Sequence, residues 1–239
     1  MKAPLLVLVP SRGRPGNVAR LLNGIAETSA GQCDVVVLVD EDDPTRPDYL
    51  EAVQDVGFAW LEAGPPTGGG GMTGPLNRGA LAYAGSYRAL GFMGDDHLPR
   101  TASWDKQIMA ALREQGAAAI VYGDDLFQRA NLPTAVFMGS CIVDALGWMA
   151  PPALRHFYLD NYWMQLGVKL GRLRYLPSVV IEHLHPAAFG KAPHDAEYGR
   201  TGPMMALDQG PWEAYVQGGG IDADAARVRA NCIPAGGRP

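Results

Sequence analysis

Two stretches of this chain place a glycine and two carboxylates behind a short apolar run. They are GFMGDDHLPR at residues 91–100 and IVYGDDLFQR at 120–129. Neighbouring carboxylates at the end of a strand can hold a divalent cation or simply shape a turn. Mg²⁺ or Mn²⁺ carrying a nucleotide needs only one or two protein carboxylates, because diphosphate oxygens and water fill the other positions. Asp95 and Asp96 have His97 beside them and Pro99 soon after, whereas Asp124 and Asp125 lead into the loop-like LFQRANLP. On residues alone the second pair is the slightly weaker site; since it too follows a strand, its carboxylates remain candidates to line the acceptor or donor pocket. EHLHP at 182–186 adds His183 and His185, which strand alternation puts on one face.

Other polar groups stand at the ends of apolar runs. PSRGRP at 10–15 offers Ser11 and the guanidiniums of Arg12 and Arg14 just before a helical stretch. Helix N-termini and arginine forks suit phosphate or ribose oxygens. In DEDDPT at 40–45, Asp40 stands at the strand end, where it can accept from a base N–H or a ribose hydroxyl; its neighbours read as a solvated turn. TGGGG at 67–71 lacks a following Lys-Ser/Thr, so it is not a phosphate-binding P-loop and reads as a surface loop, with a lid as the alternative. Asp160, in RHFYLDNYWMQLG, is either a helix N-cap or a partly desolvated carboxylate suited to general-base work.

The elements that must position these groups alternate. LLVLV, VVVLV and FAWLE read as strands, as do LGFM, AAIVY, TAVFM and the late LRYLP and SVVIEH. Between the first two, Val18, Leu21, Leu22 and Ile25 recur at the spacing of a helical stripe. Asp48 and Ser103 are expected helix caps, a helix is expected from about Leu76 to Ala89 and another near 160–170, and IDADAARVRAN reads as a short helix. Apolar strands alternating with helices predict an α/β fold, a mostly parallel sheet flanked by helices. In open sheets of this kind ligands sit beyond the carboxyl ends of the strands, where the groups above cluster.

The chain has 239 residues, 47% of them hydrophobic, which is enough for a sizeable core. Its net charge of −5 argues against general binding to nucleic acid. Three widely spaced cysteines predict free thiols in a cytoplasmic protein. The five apolar residues before Pro10 are too few for a signal or membrane segment.

Taken in order, these motifs resemble the GT-A-fold glycosyltransferases, in particular family-2-like enzymes and small phage-encoded forms. VPSRGRP is similar to the family's P-[ST]-x-x-R-P loop, LVDEDD to its aspartate after the second strand, and PLNRGALAYAGSYRALGFMGDDHLP to its Asn-bearing helix, strand and D-x-D-D-type motif with a following Pro. FMGSCIVDALGW, YLDNYW and VVIEHLHP are similar to its later segments, so the likeness covers about residues 4–190. One departure is that the first Asp of D-x-D-D falls at Met93. The resemblance implies one catalytic domain over 1–210, with a nucleotide-sugar half to about 100 and an acceptor half beyond it, then a helix and tail over 211–239.

The resemblance also implies roles. Pro10, Ser11, Arg12 and Arg14 would cradle the nucleotide, and Asp40 would meet the base. Asn77 and Arg78 would serve the nucleotide-sugar region. Asp95 would ligate Mn²⁺ or Mg²⁺ with Asp96 beside it, and His183 or His185 would complete the shell. Asp160 falls where inverting members place their base. The implied reaction moves a sugar from a nucleotide-diphosphate sugar, a UDP-sugar first, to a hydroxyl on a small molecule, a glycan or a modified base in phage DNA. A sugar-phosphate nucleotidyltransferase and an inactive nucleotide-sugar-binding domain are the alternatives. Metal-dependent nucleotide binding is then expected to depend on Asp95 and not on Asp124.

Overall fold

The computed structural model describes residues 3–66, 71–188 and 195–233. The runs LLVLVP and CDVVVLVD are apolar at almost every position because both faces of their strands are covered. They form β1 (Leu5–Pro10) and β2 (Cys33–Asp40), paired in parallel. β3 (Ala59–Gly64) adds in parallel to β2, and β4 (Ala89–Phe92) to β1. The remaining strands are β5 (His97–Pro99), β6 (Ile120–Asp124), β7 (Val136–Gly139) and β8 (Leu173–His183). The sheet runs β3-β2-β1-β4-β7-β6-β8-β5. β7 is antiparallel to both neighbours, β8 is parallel to β6, and β5 is antiparallel to β8. The sheet is therefore parallel through β3–β4 and mixed beyond.

Alternation along β1 sends Leu6 and Leu8 to one core and Leu5, Val7 and Val9 to the other. The first core is closed by α3 (Thr73–Tyr83), α5 (Ser140–Leu146), α6 (Leu159–Leu170) and α9 (Gly220–Cys232). The second is closed by α1 (Pro15–Thr28), α2 (Arg46–Val53) and α4 (Trp104–Gln115). The expected stripe of α1 is buried in full, at Val18, Leu21, Leu22 and Ile25. Trp163 and Trp104 are fully buried on opposite sides of the sheet. Truncating either to alanine would cost about 3–5 kcal/mol.

The caps differ from expectation. Thr45, not Asp48, stands at the α2 N-cap, where its amide and hydroxyl both donate to Asp43. Ser103 does occupy the α4 N-cap, but at φ 56° and with no capping bond from its hydroxyl. The short helix α7 (Ala196–Thr201) and the longer α8 (Met204–Gln217) lead into α9. α8 runs straight through the expected boundary at 210/211, and Ile221, Ala225 and Val228 of α9 join the first core. All three cysteines are free thiols. Among the described residues no helix is long and apolar enough to cross a membrane. TGGGG falls almost wholly outside the described residues.

Among the described residues the register shifts at the join of β6 and β8. LRYLP and SVVIEH form a single strand, β8, whose register against β6 jumps from Gly123↔Leu176 to Asp124↔Val180. Gly123 permits the bulge, because a Cβ there would collide with the Val179 carbonyl oxygen. Past the bulge β8 reaches β5 and pairs His183 with His97.

Candidate active site

The carboxyl ends of β1, β2 and β4 open into a cavity of about 500 Å³. Its first wall is the PSRGRP loop. Ser11 donates to Asp95 Oδ2 at 2.5 Å and lies 2.8 Å from the Tyr49 hydroxyl, which in turn accepts from the Arg14 amide. Asp95 Oδ1 faces Asn17 Nδ2 at 3.3 Å and Arg14 Nη1 at 3.4 Å. Both Asp95 oxygens are thus engaged by the loop and the start of α1. Arg12 bridges Asp40 Oδ2 at 2.9 Å and Asp42 at 2.6 Å. Asp40 Oδ1 is buried and has no hydrogen-bond partner among the described residues.

The second wall brings together Asp96, His97 and His183, which can each offer a ligand atom within 4.8 Å of the others. The two imidazoles stack with centroids 4.3 Å apart. Gly94 N–H donates to His97 Nδ1, which puts the proton of a neutral ring on Nε2, 3.4 Å from Thr134 Oγ1. Both nitrogens of His97 are committed. His183 instead points Nε2 at Asp96 Oδ2, 3.4 Å away, while its buried Nδ1 has no hydrogen-bond partner among the described residues. Gly94 must lack a side chain, since a Cβ would meet Asp96 Oδ1 at 2.7 Å.

The charges follow from this packing. Burial pushes Asp95 up to about 7, and the neighbouring charge of Asp96 adds to the effect. Burial also opposes ionisation of Asp96, but the imidazoles of His183 and His97 outweigh it and hold the carboxyl well below its usual range. The negative charge of the pair is therefore concentrated on Asp96, the carboxylate that faces the histidines.

The third wall comes from α6 and α7. Tyr158 and Asp160 line the cavity where α6 begins. The N-cap position is Tyr158, at φ 65°, so Asp160 is not the cap; it sits in the first turn and takes the Asn161 amide at 3.0 Å. Asp195, the N-cap of α7, is clamped by Arg14 at 2.8 and 2.5 Å. Tyr198 lies under the Arg14 guanidinium and donates to Asp96 Oδ2 at 2.5 Å.

Of the residues singled out from sequence, Pro10, Ser11, Arg12, Arg14, Asp40, Asp95, Asp96, Asp160, His183 and His185 all line this one cavity. Asp95 and His185 stand outside the Asp96–His97–His183 group. His185 stacks on Phe127 and takes the Ala187 amide. Asn77 and Arg78 are not in the lining. Asn77 accepts from the Met149 and Ala150 amides and donates to the Ala150 carbonyl, tying α3 to the loop after α5. Arg78 packs its guanidinium over Gly64 at the end of β3. Sequence reasoning missed the contributions of His97, Thr134 and Tyr198 and left the role of Asp125 open. The histidine and the second Gly-Asp-Asp were visible signals, but nothing local marks Tyr198, which reaches the site from a hundred residues away.

His156 on the cavity wall carries a stability prediction. Burial lowers its imidazole to about 4, and its Nδ1 has no hydrogen-bond partner among the described residues. The unfolded chain takes up this proton near 6.5, the folded one only near 4, so stability falls as the pH drops through that interval. The loss is on the order of 3 kcal/mol. Melting temperatures of wild type and His156→Gln between pH 7 and 4 check this; the variant's curve should be visibly flatter.

No family model and no curated protein sequence matches the chain. Solved structures do match its fold, and that fold is the GT-A fold of glycosyltransferases. A mannosyltransferase, PcManGT from Pyrobaculum calidifontis, in complex with GDP-Man and Mn²⁺, is similar with a TM-score of 0.60 and 16% identity over 96% of this chain and 75% of that one. TarS 1-349 of S. aureus in complex with UDP is similar with a TM-score of 0.58 and 17% identity over 77% of this chain. The match spans 62% of that TarS chain. The same TarS fragment has also been solved with UDP-GlcNAc, and it matches with a TM-score of 0.57.

Proposed function

We propose that this chain is a glycosyltransferase that moves a sugar from a nucleoside-diphosphate sugar, a UDP-sugar first, to a hydroxyl acceptor. The observation that carries the reading is the convergence, in one cavity of a GT-A fold, of a nucleotide-type end and a cation-type end. At one end the unpartnered Asp40 Oδ1 can accept from a base or ribose, and Arg12 and Arg14 carry positive charge. At the other end stand Asp96 and His183. The neighbours bound to UDP and to GDP-Man with Mn²⁺ support this reading.

The residues present fit a divalent ion. Asp96 offers an anionic carboxylate, one oxygen of which accepts from Tyr198, and His183 an imidazole nitrogen facing it, whereas His97 has both nitrogens engaged and Asp95 both oxygens. Oxygen ligands suit Mg²⁺ and Mn²⁺ alike; the imidazole favours Mn²⁺. Bound there, the ion would offset charge growing on the departing diphosphate. Arg14 supports the same charge from the loop side. Asp160 takes the proton of the acceptor hydroxyl as the new glycosidic bond forms, and that role implies inversion. The chain acts as one catalytic unit with α8 and α9 as part of it. Following the sequence motifs, the reading extends to a family-2-like enzyme of the phage-encoded kind in the host cytoplasm, acting on a small molecule, a glycan or a modified DNA base.

A thermal-shift matrix tests the donor side. UDP and GDP are each added with and without Mn²⁺, and Mn²⁺ is added alone. UDP with Mn²⁺ should raise the melting temperature more than either does alone, with stabilisation of about 2.7 kcal/mol at a hundredfold excess over Kd. A flat response to both nucleotides under both conditions would overturn the reading.

A further inference from the structure

We propose that Asp125, in the second Gly-Asp-Asp stretch, is the positioning residue that orients His183 toward Asp96; the proposal rests on the cation-site reading above. Asp125 is buried, 3% exposed, and uses its atoms unequally. Oδ1 accepts from the Phe127 and Arg129 amides at 2.9 and 2.7 Å and so shapes the loop. An asparagine would serve that purpose equally well. Oδ2 accepts from Thr134 Oγ1 at 2.8 Å and lies 4.0 Å from His183 Nδ1. That nitrogen is the buried one with no hydrogen-bond partner.

Burying an anion without a reason costs several kcal/mol. The second oxygen supplies the reason, because it is the carboxylate nearest to a ring nitrogen that must carry a proton if Nε2 is to keep its lone pair. A metal-binding histidine commonly donates its other N–H to such a carboxylate, which fixes the tautomer and the ring orientation.

Two further contacts and the backbone of the loop point the same way. The backbone amide of His183 donates to the Asp125 carbonyl at 3.0 Å, so main chain and side chain both reference one residue. Thr134, which donates to Asp125, also faces His97 Nε2, so the stacked imidazoles share one anchor. Leu126 and Arg129, which follow Asp125 in the loop, stand at φ 58° and 54°, a conformation that costs non-glycine residues on the order of 1–3 kcal/mol each and persists where surrounding bonds enforce it. The bulge at Gly123 completes the device by steering β8 across to Asp125 and β5.

The test uses the full chain with Mn²⁺ in the presence of UDP, with free Mn²⁺ followed by electron paramagnetic resonance. Asp125→Asn keeps the Oδ1 acceptor for the two amides but turns a donor toward His183. It should weaken Mn²⁺ binding about 10–100-fold, at a melting temperature close to wild type. Asp96→Asn should lose binding altogether. The second measurement needs no variant: imidazole ¹⁵N shifts of the wild type loaded with diamagnetic Mg²⁺ and UDP at alkaline pH should place the His183 proton on Nδ1. Loss in Asp96→Asn with unchanged binding in Asp125→Asn, or a His183 proton on Nε2, overturns the positioning role and leaves the cation site standing. Equal binding in wild type and Asp96→Asn overturns the cation site itself.

Discussion

Asp96→Asn should abolish the Mn²⁺-dependent part of nucleotide binding and lower turnover by about 10²–10³-fold, the usual loss when one preorganised electrostatic partner of the leaving group is removed. Asp96 and its neighbour differ in what they have left to offer. Sequence motifs point to Asp95 as the ligand, but its two oxygens are occupied by Ser11, Asn17 and Arg14, which hold the PSRGRP loop against β4. Burial and the adjacent charge also push Asp95 toward neutrality near pH 7. Asp96 has only its Oδ2 engaged, by the Tyr198 hydroxyl, keeps the charge and faces His183. Asp95→Asn should therefore behave differently. It leaves a donor where Ser11 or Arg14 needs an acceptor, costing about 1–3 kcal/mol of stability, while a Mn²⁺-dependent shift persists. The pair of variants, measured by thermal shift and by steady-state donor consumption, decides between the two carboxylates. A Mn²⁺ response lost in Asp95→Asn and kept in Asp96→Asn would sink the assignment.

Much of the frame behind that prediction is legible in the sequence. β1 and β2 announce themselves because both faces are buried and every position is apolar; α1 does so because its stripe has a clean helical period. The strand-end rule then collects Ser11, Arg14, Asp40 and Asp96 without any knowledge of contacts. What stays hidden is whatever long-range pairing decides. β5 is three residues long and exists only because β8 bulges past Gly123 to meet it. With β5 comes the stacking of His97 on His183, which no spacing encodes.

The two Gly-Asp-Asp stretches show the limit most clearly. Both end strands and look like alternatives, yet they meet at the same histidine. Asp96 faces its Nε2 and Asp125 its Nδ1. Asn77 errs in the other direction. An Asn early in a helix after a loop reads as a ligand contact, but three main-chain bonds to the loop after α5 use it up. Polar side chains that satisfy backbone groups are indistinguishable from functional ones until the fold is known.

The second large effect is expected at Asp160. Its carboxylate lies on the cavity wall in the first turn of α6, and burial raises its proton affinity, opposed by the Asn161 amide. A carboxylate made more basic is a better proton acceptor for a hydroxyl nucleophile. Asp160→Asn preserves the acceptor for the Asn161 amide and loses only a favourable charge at a helix N-terminus, about 0.3–1 kcal/mol. The fold should therefore survive while kcat falls about 10²–10⁴-fold, with UDP and Mn²⁺ binding unchanged. The pH profile gives the sign. The base must be ionised, so kcat of the wild type rises with pH through the raised Asp160 pKa, and this limb disappears in the variant. Because the role requires direct attack by the acceptor, the product's anomeric configuration, read by NMR, should be inverted. A variant with near wild-type kcat, or a product of retained configuration, would remove Asp160 from the chemistry and leave it as a first-turn carboxylate that helps start α6.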